Sequence, residues 1–89
     1  MSTIEIYSSM MCPYCYRAKQ LLDAKGVAYE EIDVMMQGGR RREMVERSGG
    51  RTSVPQIFIG GEHIGGCDDL YRLEEQGELD RKLEKVRAA

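Results

Sequence analysis

Residues 4–33 decide the fold and read IEIYSSMMCPYCYRAKQLLDAKGVAYEEID. Residues 4–7 are β-branched and aromatic side chains that alternate with a charged one, which is typical of a strand. From Pro13, apolar side chains recur at helical spacing until Gly26, a residue type that commonly ends helices. Residues 27–33 predict a second strand. A strand, a helix and a strand within about 30 residues form a βαβ unit, whose two strands lie parallel.

The rest of the chain predicts a helix, a β-hairpin and two further helices. The predicted elements are a helix over residues 40–48, strands over residues 54–59 and 62–64, a helix from about residue 67 to near residue 77, and a helix over residues 79–86. Gly60-Gly61 is a two-residue hairpin signal between the two strands. We therefore expect residues 1–89 to form a single α/β domain with a thioredoxin-like fold, in which helices flank a four-stranded mixed sheet built as βαβ then ββα.

The composition excludes several classes of protein. The 89 residues carry 13 Lys and Arg against 15 Asp and Glu, a formal net charge of −2. Binding to nucleic acid through a general basic field is therefore not expected. No apolar run approaches the ~20 residues that span a bilayer, and the first five residues have neither the basic flank nor the apolar stretch of a signal peptide. We expect a cytoplasmic protein that binds no membrane.

The cysteines carry the main functional signal. Cys12 and Cys15 are separated by Pro13 and Tyr14, and the third cysteine, Cys67, stands alone. In a cytoplasmic chain, a Cys-x-x-Cys pair at the start of the first helix of a βαβ unit is typical of a redox dithiol. At a helix N-terminus, unpaired N–H groups and the helix dipole favour a thiolate, which is the nucleophile in disulfide exchange. We therefore expect Cys12 to be the exposed nucleophile and Cys15 the more buried resolving thiol.

Two other interpretations of the cysteine pair stay open. The two thiols could be structural or incidental, or they could bind zinc together with His63 and Cys67, which are ligands of the kind that zinc takes. The spacing between Cys15 and His63 matches no usual zinc motif, and a predicted helix rather than a tight turn follows Cys15. The sequence therefore favours catalysis over metal binding, and we expect no metal site.

Three motifs, taken in order, resemble those of one protein family. They are Cys12-Pro13-Tyr14-Cys15, Ser53-Val54-Pro55 before the hairpin, and Gly65-Gly66-Cys67-Asp68-Asp69. At these separations, and in register from residue 4 to about residue 83, the chain resembles dithiol glutaredoxins of the small bacterial glutaredoxin 3 type. Family members often carry a lysine three residues before the first cysteine, where this chain has Ser9.

The resemblance implies an activity and a binding site. The activity is glutathione-dependent reduction of protein disulfides and glutathione mixed disulfides by a Cys12/Cys15 dithiol. Glutathione would be a co-substrate, disulfide-containing or glutathionylated proteins the partners, and the protein a monomer with no tightly bound cofactor. The resemblance also implies a cis peptide bond between Val54 and Pro55, where an exposed backbone can pair with the cysteinyl part of glutathione. The residues that it places around glutathione are Tyr14, Ser53, Val54, Pro55, Gly66, Cys67 and Asp68.

Some roles stay open within this resemblance. Asp68 could accept a hydrogen bond from the α-ammonium group of glutathione, or it could simply cap the helix that follows. One of the arginines at residues 40–42 could meet a carboxylate of glutathione, although a solvated helix start is the simpler interpretation. Cys67 is expected to be a small buried thiol rather than a redox partner. A rival function is to carry an iron–sulfur cluster held by Cys12 and glutathione on two chains.

Overall fold

The computed structural model describes residues 3–87. In chain order its elements are β1 (Ile4–Ser8), α1 (Pro13–Ala24), β2 (Glu30–Asp33), α2 (Arg40–Arg47), β3 (Gln56–Ile59), β4 (Glu62–Gly65), α3 (Cys67–Glu75) and α4 (Leu79–Arg87). Within this described part, the types and the order of the elements are those that the sequence predicts. None of these helices is long and apolar enough to cross a membrane.

Strands β2 and β3 are both shorter than predicted. Glu30 of β2 pairs with Glu5 of β1, so residues 27–28 would have to pair with residues that precede β1. β3 begins at Gln56 because Pro55 has no N–H with which to join a strand ladder. The start of β1 thus determines where β2 begins, and the missing N–H of Pro55 determines where β3 begins.

The strands form one mixed sheet with helices on both faces. Their order is β2-β1-β3-β4, with β1 parallel to β2 and both other pairings antiparallel. On the face covered by α1, α3 and α4, the buried side chains are Ile4, Ile6, Ala18, Leu22, Ile57, Ile59, Cys67, Leu70, Leu79 and Leu83. On the face covered by α2, they are Tyr7, Ile32, Val34, Met44 and Phe58. The expected mixed sheet flanked by helices is confirmed.

A charged network holds α2 against the sheet. Arg47 donates to both carboxylate oxygens of Glu5, at 3.0 and 3.2 Å, and to the hydroxyl of Tyr7 at 2.8 Å. The Tyr7 hydroxyl donates in turn to Glu43, and the Arg47 guanidinium lies 4.0 Å from the centre of the Phe58 ring. Burial raises the pKa of Tyr7, so its hydroxyl keeps the proton that it donates. These contacts fix α2 on β1, the strand that leads into the cysteine pair.

The turn between β4 and α3 needs glycine at residue 65. Gly65 has a φ of +119°, and a Cβ atom at this position would lie 2.2 Å from Oδ2 of Asp69. That oxygen accepts the N–H of Gly66 at 2.9 Å, so Asp69 closes the N-terminus of α3. One of the two roles predicted for Asp68 from the sequence was to cap α3, and this prediction is wrong because Asp69 makes the capping hydrogen bond. Because Gly66 is the N-cap residue, the residue that reaches back to it is the third of the helix, Asp69.

We expect Gly65→Ala to lower the free energy of unfolding by more than Gly61→Ala does. Both glycines have positive φ, which costs an alanine roughly 1–2 kcal/mol. A Cβ atom on Gly61 meets no atom within 4 Å, whereas one on Gly65 displaces the Asp69 side chain, a cap worth about 1 kcal/mol. Urea unfolding of the two variants measures the difference. Equal losses would contradict the steric role of Gly65.

Candidate active site

Cys12 lies at the N-terminus of α1, as the sequence predicts. It is the N-cap residue, with Pro13 in the first turn, and its Sγ accepts a hydrogen bond from the N–H of Cys15 at 3.2 Å. The first N–H groups of a helix have no partner within it, and the helix dipole makes this end positive. The sulfur of Cys12 therefore lies at the positive end of α1, a position at which proteins hold reactive cysteines.

Cys15 has the opposite surroundings. It is only 1% exposed, whereas Cys12 is partly exposed. Burial raises the pKa of Cys15 to about 12, and its hydrogen bond with Cys12 adds to the shift. Cys15 is therefore protonated at neutral pH, and Cys12 is the thiol of the pair that a partner can reach. This difference in exposure is the one that the sequence predicts.

A groove of about 380 Å³, which we call the polar groove, runs beside the cysteine pair. Every residue that the family resemblance implies for glutathione lines it: Tyr14, Ser53, Val54, Pro55, Gly66, Cys67 and Asp68. The peptide bond between Val54 and Pro55 is cis, as expected. The carbonyl oxygen of Val54 lies 3.9 Å from Sγ of Cys12, which places the polar groove next to the reactive sulfur.

Three charged residues of the polar groove are missing from the sequence prediction: Arg51, Asp69 and Arg72. Asp69 pairs with Arg51 at 3.3 Å and with Arg72 at 3.5 Å. The hydrogen bond from the Gly66 N–H, followed by that from Arg51, holds the pKa of Asp69 below its usual value. Arg72 follows Asp69 by three residues in α3, a spacing from which this ion pair could have been predicted. The arginines at residues 40–42 do not line the groove, and Arg51 lies there instead.

The residues of the alternative zinc site are not brought together. His63 contacts Gln56, with 2.7 Å between Nε2 and Oε1, and burial lowers the pKa of His63. Among residues 3–87, no three His, Cys, Asp or Glu side chains are grouped so that they could hold a metal ion. Cys67 is buried, and burial raises its pKa, as expected of a structural thiol.

The chain is similar to known proteins along most of its length. The family model described as Glutaredoxin matches residues 4–64, more than half of the chain. The chain belongs to the glutaredoxin family. It is 54% identical over 83 residues to Glutaredoxin 3 of Escherichia coli (strain K12), which covers 93% of this chain and 99% of that protein. The chain is therefore a glutathione-dependent thiol–disulfide oxidoreductase.

Solved structures of other glutaredoxins share the fold. The solution structure of glutaredoxin from Brucella melitensis is 54% identical, with a TM-score of 0.77 over 91% of this chain and 87% of that chain. The crystal structure of a buckwheat glutaredoxin–glutathione complex is 31% identical, with a TM-score of 0.87 over 94% of this chain and 78% of that chain. These similarities confirm the thioredoxin-like fold.

We expect Cys15 to react slowly with alkylating agents. A Cys12→Ser variant loses the contribution of the Cys12 thiol, but burial, the larger cause, still raises the pKa of Cys15 and keeps its thiolate fraction low at neutral pH. The rate of iodoacetamide modification at Cys15 should therefore keep rising up to about pH 10, well above the ~8.5 at which a free thiol titrates. Mass spectrometry of the modified peptides follows Cys15 separately from Cys67. A rate that levels off near the free-thiol pKa would contradict the shift.

Proposed function

We propose that Cys12 and Cys15 have separate roles in reducing protein disulfides and glutathione mixed disulfides. Cys12 is the nucleophile, and Cys15 resolves the mixed disulfides that form with proteins. The observation that carries this proposal is the hydrogen bond from the Cys15 N–H to the Cys12 sulfur at the start of α1, beside a buried Cys15 thiol. This arrangement supports an accessible nucleophile at Cys12 and a protonated, buried thiol at Cys15 next to it.

A glutathionylated protein is reduced by Cys12 alone. The Cys12 thiolate attacks the glutathione sulfur of the mixed disulfide, the protein thiolate leaves and takes up a proton, and a Cys12–glutathione disulfide forms. The thiolate of a second glutathione then attacks the glutathione sulfur on Cys12. Oxidised glutathione leaves, and the Cys12 thiolate is restored.

A protein disulfide is reduced by both cysteines. Cys12 attacks one sulfur of the disulfide, and the resulting mixed disulfide is attacked at the Cys12 sulfur by Cys15 once that thiol has lost its proton. The reduced protein leaves, and a Cys12–Cys15 disulfide remains for two glutathione molecules to reduce. Burial raises the pKa of Cys15, so a proton must leave this thiol before it can attack.

We propose that glutathione lies in the polar groove. A related solved structure is a complex with glutathione, and the groove here lies against the Cys12 sulfur. Val54 offers its backbone for strand-like pairing with the cysteinyl residue. Asp68 is exposed and makes no ion pair among residues 3–87, so it can accept from the α-ammonium group. The N–H groups at the start of α3 suit the neighbouring carboxylate, and Arg51 suits the second carboxylate.

We propose further that residues 1–89 act as a single-domain monomer in the cytoplasm, without a tightly bound cofactor. A Cys-x-x-Cys pair that acts as a reductant is typical of a reducing compartment. Disulfide-containing and glutathionylated proteins are the proposed partners. The net charge of −2 gives no support to nucleic acid as a partner.

We expect the three Cys→Ser variants to differ in which of the two reactions they lose. Cys12→Ser abolishes all exchange because the accessible thiolate is gone. Cys15→Ser keeps most reduction of a glutathionylated peptide, where external glutathione resolves the intermediate, but loses most reduction of a protein disulfide. Cys67→Ser, which leaves the Cys12–Cys15 pair intact, should keep most of both activities. A coupled assay with each substrate measures the rates, and equal loss in Cys12→Ser and Cys15→Ser on the glutathionylated peptide would refute the assignment.

We expect Asp68→Asn to weaken the use of glutathione. Loss of a charge-assisted contact to the ammonium group should raise the KM for glutathione about tenfold. The free energy of unfolding should change by less than about 0.5 kcal/mol, because Asp69 is the residue that caps α3. Glu75→Gln, which removes an exposed charge at the far end of α3, is the matched control. An unchanged KM in Asp68→Asn would argue against the ammonium contact.

A further inference from the structure

The large apolar side chains that are mostly exposed within residues 3–87 all lie at one end of the molecule. They are Met10, Met11, Tyr14, Tyr16, Met35 and Met36. The first methionine pair follows β1 and the second follows β2, and these strands are parallel, so both pairs lie at the same edge of the sheet. Exposed apolar side chains that are gathered in one region of a small protein indicate a binding site.

Part of this surface forms a second groove beside Cys12. It has a volume of about 510 Å³, and we call it the methionine groove. The residues that line it are Ser9, Met10, Met11, Cys12, Pro13, Tyr16, Lys19, Glu31 and Asp33. It has no lining residue in common with the polar groove. The two grooves therefore approach the reactive sulfur from different sides, and one can be filled while the other stays open.

The methionine groove also carries one uncompensated negative charge. Glu31 accepts from Lys19 and from the hydroxyl of Ser8, both at 2.8 Å, so its charge is balanced within the chain. Asp33 accepts the N–H groups of residues 35 and 36 on Oδ1, at 2.9 and 3.1 Å, and makes no ion pair in the described part of the chain, residues 3–87. A ligand of this groove is thus expected to bring a cation together with apolar surface.

We propose that the methionine groove binds the protein substrate, as an extended segment whose reacting cysteine is flanked by a bulky apolar residue and by a lysine or arginine. The inference rests on the proposed function, because Cys12 lines the groove and the sulfur under attack must come to it. Met10 and Met11 are flexible enough to pack against different apolar side chains, and Asp33 pairs with the cation. A basic neighbour also lowers the pKa of the substrate thiol, which makes it a faster leaving group.

The test compares two glutathionylated peptides that differ only beside the cysteine, one with leucine and lysine and one with serine and glutamine. The full-length protein should prefer the first by about tenfold in kcat/KM. Met10→Ser and Asp33→Asn should each reduce this preference about threefold or more. Asn keeps the Oδ1 acceptor and removes only the charge. Met36→Ser is the matched control, since Met36 is 74% exposed against 72% for Met10 but lies outside the groove, and it should keep the preference.

The mixed disulfide of glutathione and free cysteine, which has no flanking residues, separates this proposal from the proposed function. If the protein reduces that small substrate but does not distinguish the two peptides, the methionine groove has no such role while the proposed function stands. Failure on the small substrate would overturn both. Equal losses of preference in Met10→Ser and Met36→Ser would also overturn the proposal. So would a dimer, seen by sedimentation, that Met10→Ser dissociates, because the groove would then be covered by a second copy of the chain.

Discussion

The hydrogen bond from the N–H of Cys15 to the sulfur of Cys12 is the contact on which the chemistry of this protein depends. It exists because β1 ends at Ser8 and α1 starts at Pro13, so that the sulfur caps a helix. Ser9 stands where glutaredoxins often carry a lysine, so the positive end of α1, rather than a cation at that position, faces the Cys12 sulfur. The βαβ unit therefore creates the reactivity as well as the fold.

The helix that presents one thiol to solvent buries the other, and this asymmetry influences which route a substrate takes. With its pKa raised to about 12, Cys15 seldom carries the charge that it needs to attack. In the proposed mechanism, glutathione and Cys15 compete for the mixed disulfide on Cys12. A less buried second cysteine would close the intramolecular disulfide sooner and favour the dithiol route. Two separate grooves beside Cys12 fit a reaction in which protein and glutathione must both reach one sulfur.

The elements and the cysteine pair were predictable because they depend on patterns between near neighbours in the sequence. Seven residues of the polar groove followed from the family resemblance, which links segments that no local pattern connects. Features that rest on contacts between distant segments were not predictable: Arg47 binds β1 across 42 residues, and Arg51 reaches Asp69 across 18. Whether Asp68 or Asp69 caps α3 depends on the residue at which the helix begins, and the sequence pattern does not fix that position to within one residue.

The most direct test of the central claim is to react a Cys15→Ser variant with oxidised glutathione and to map the product by mass spectrometry. The account predicts one glutathione per chain, on Cys12, because the stabilised thiolate attacks one sulfur and a glutathione thiolate leaves. Cys67 should stay unmodified, because it is buried and its pKa is raised. Glutathione found on Cys67, or divided equally between Cys12 and Cys67, would contradict the assignment of Cys12 as the activated thiol.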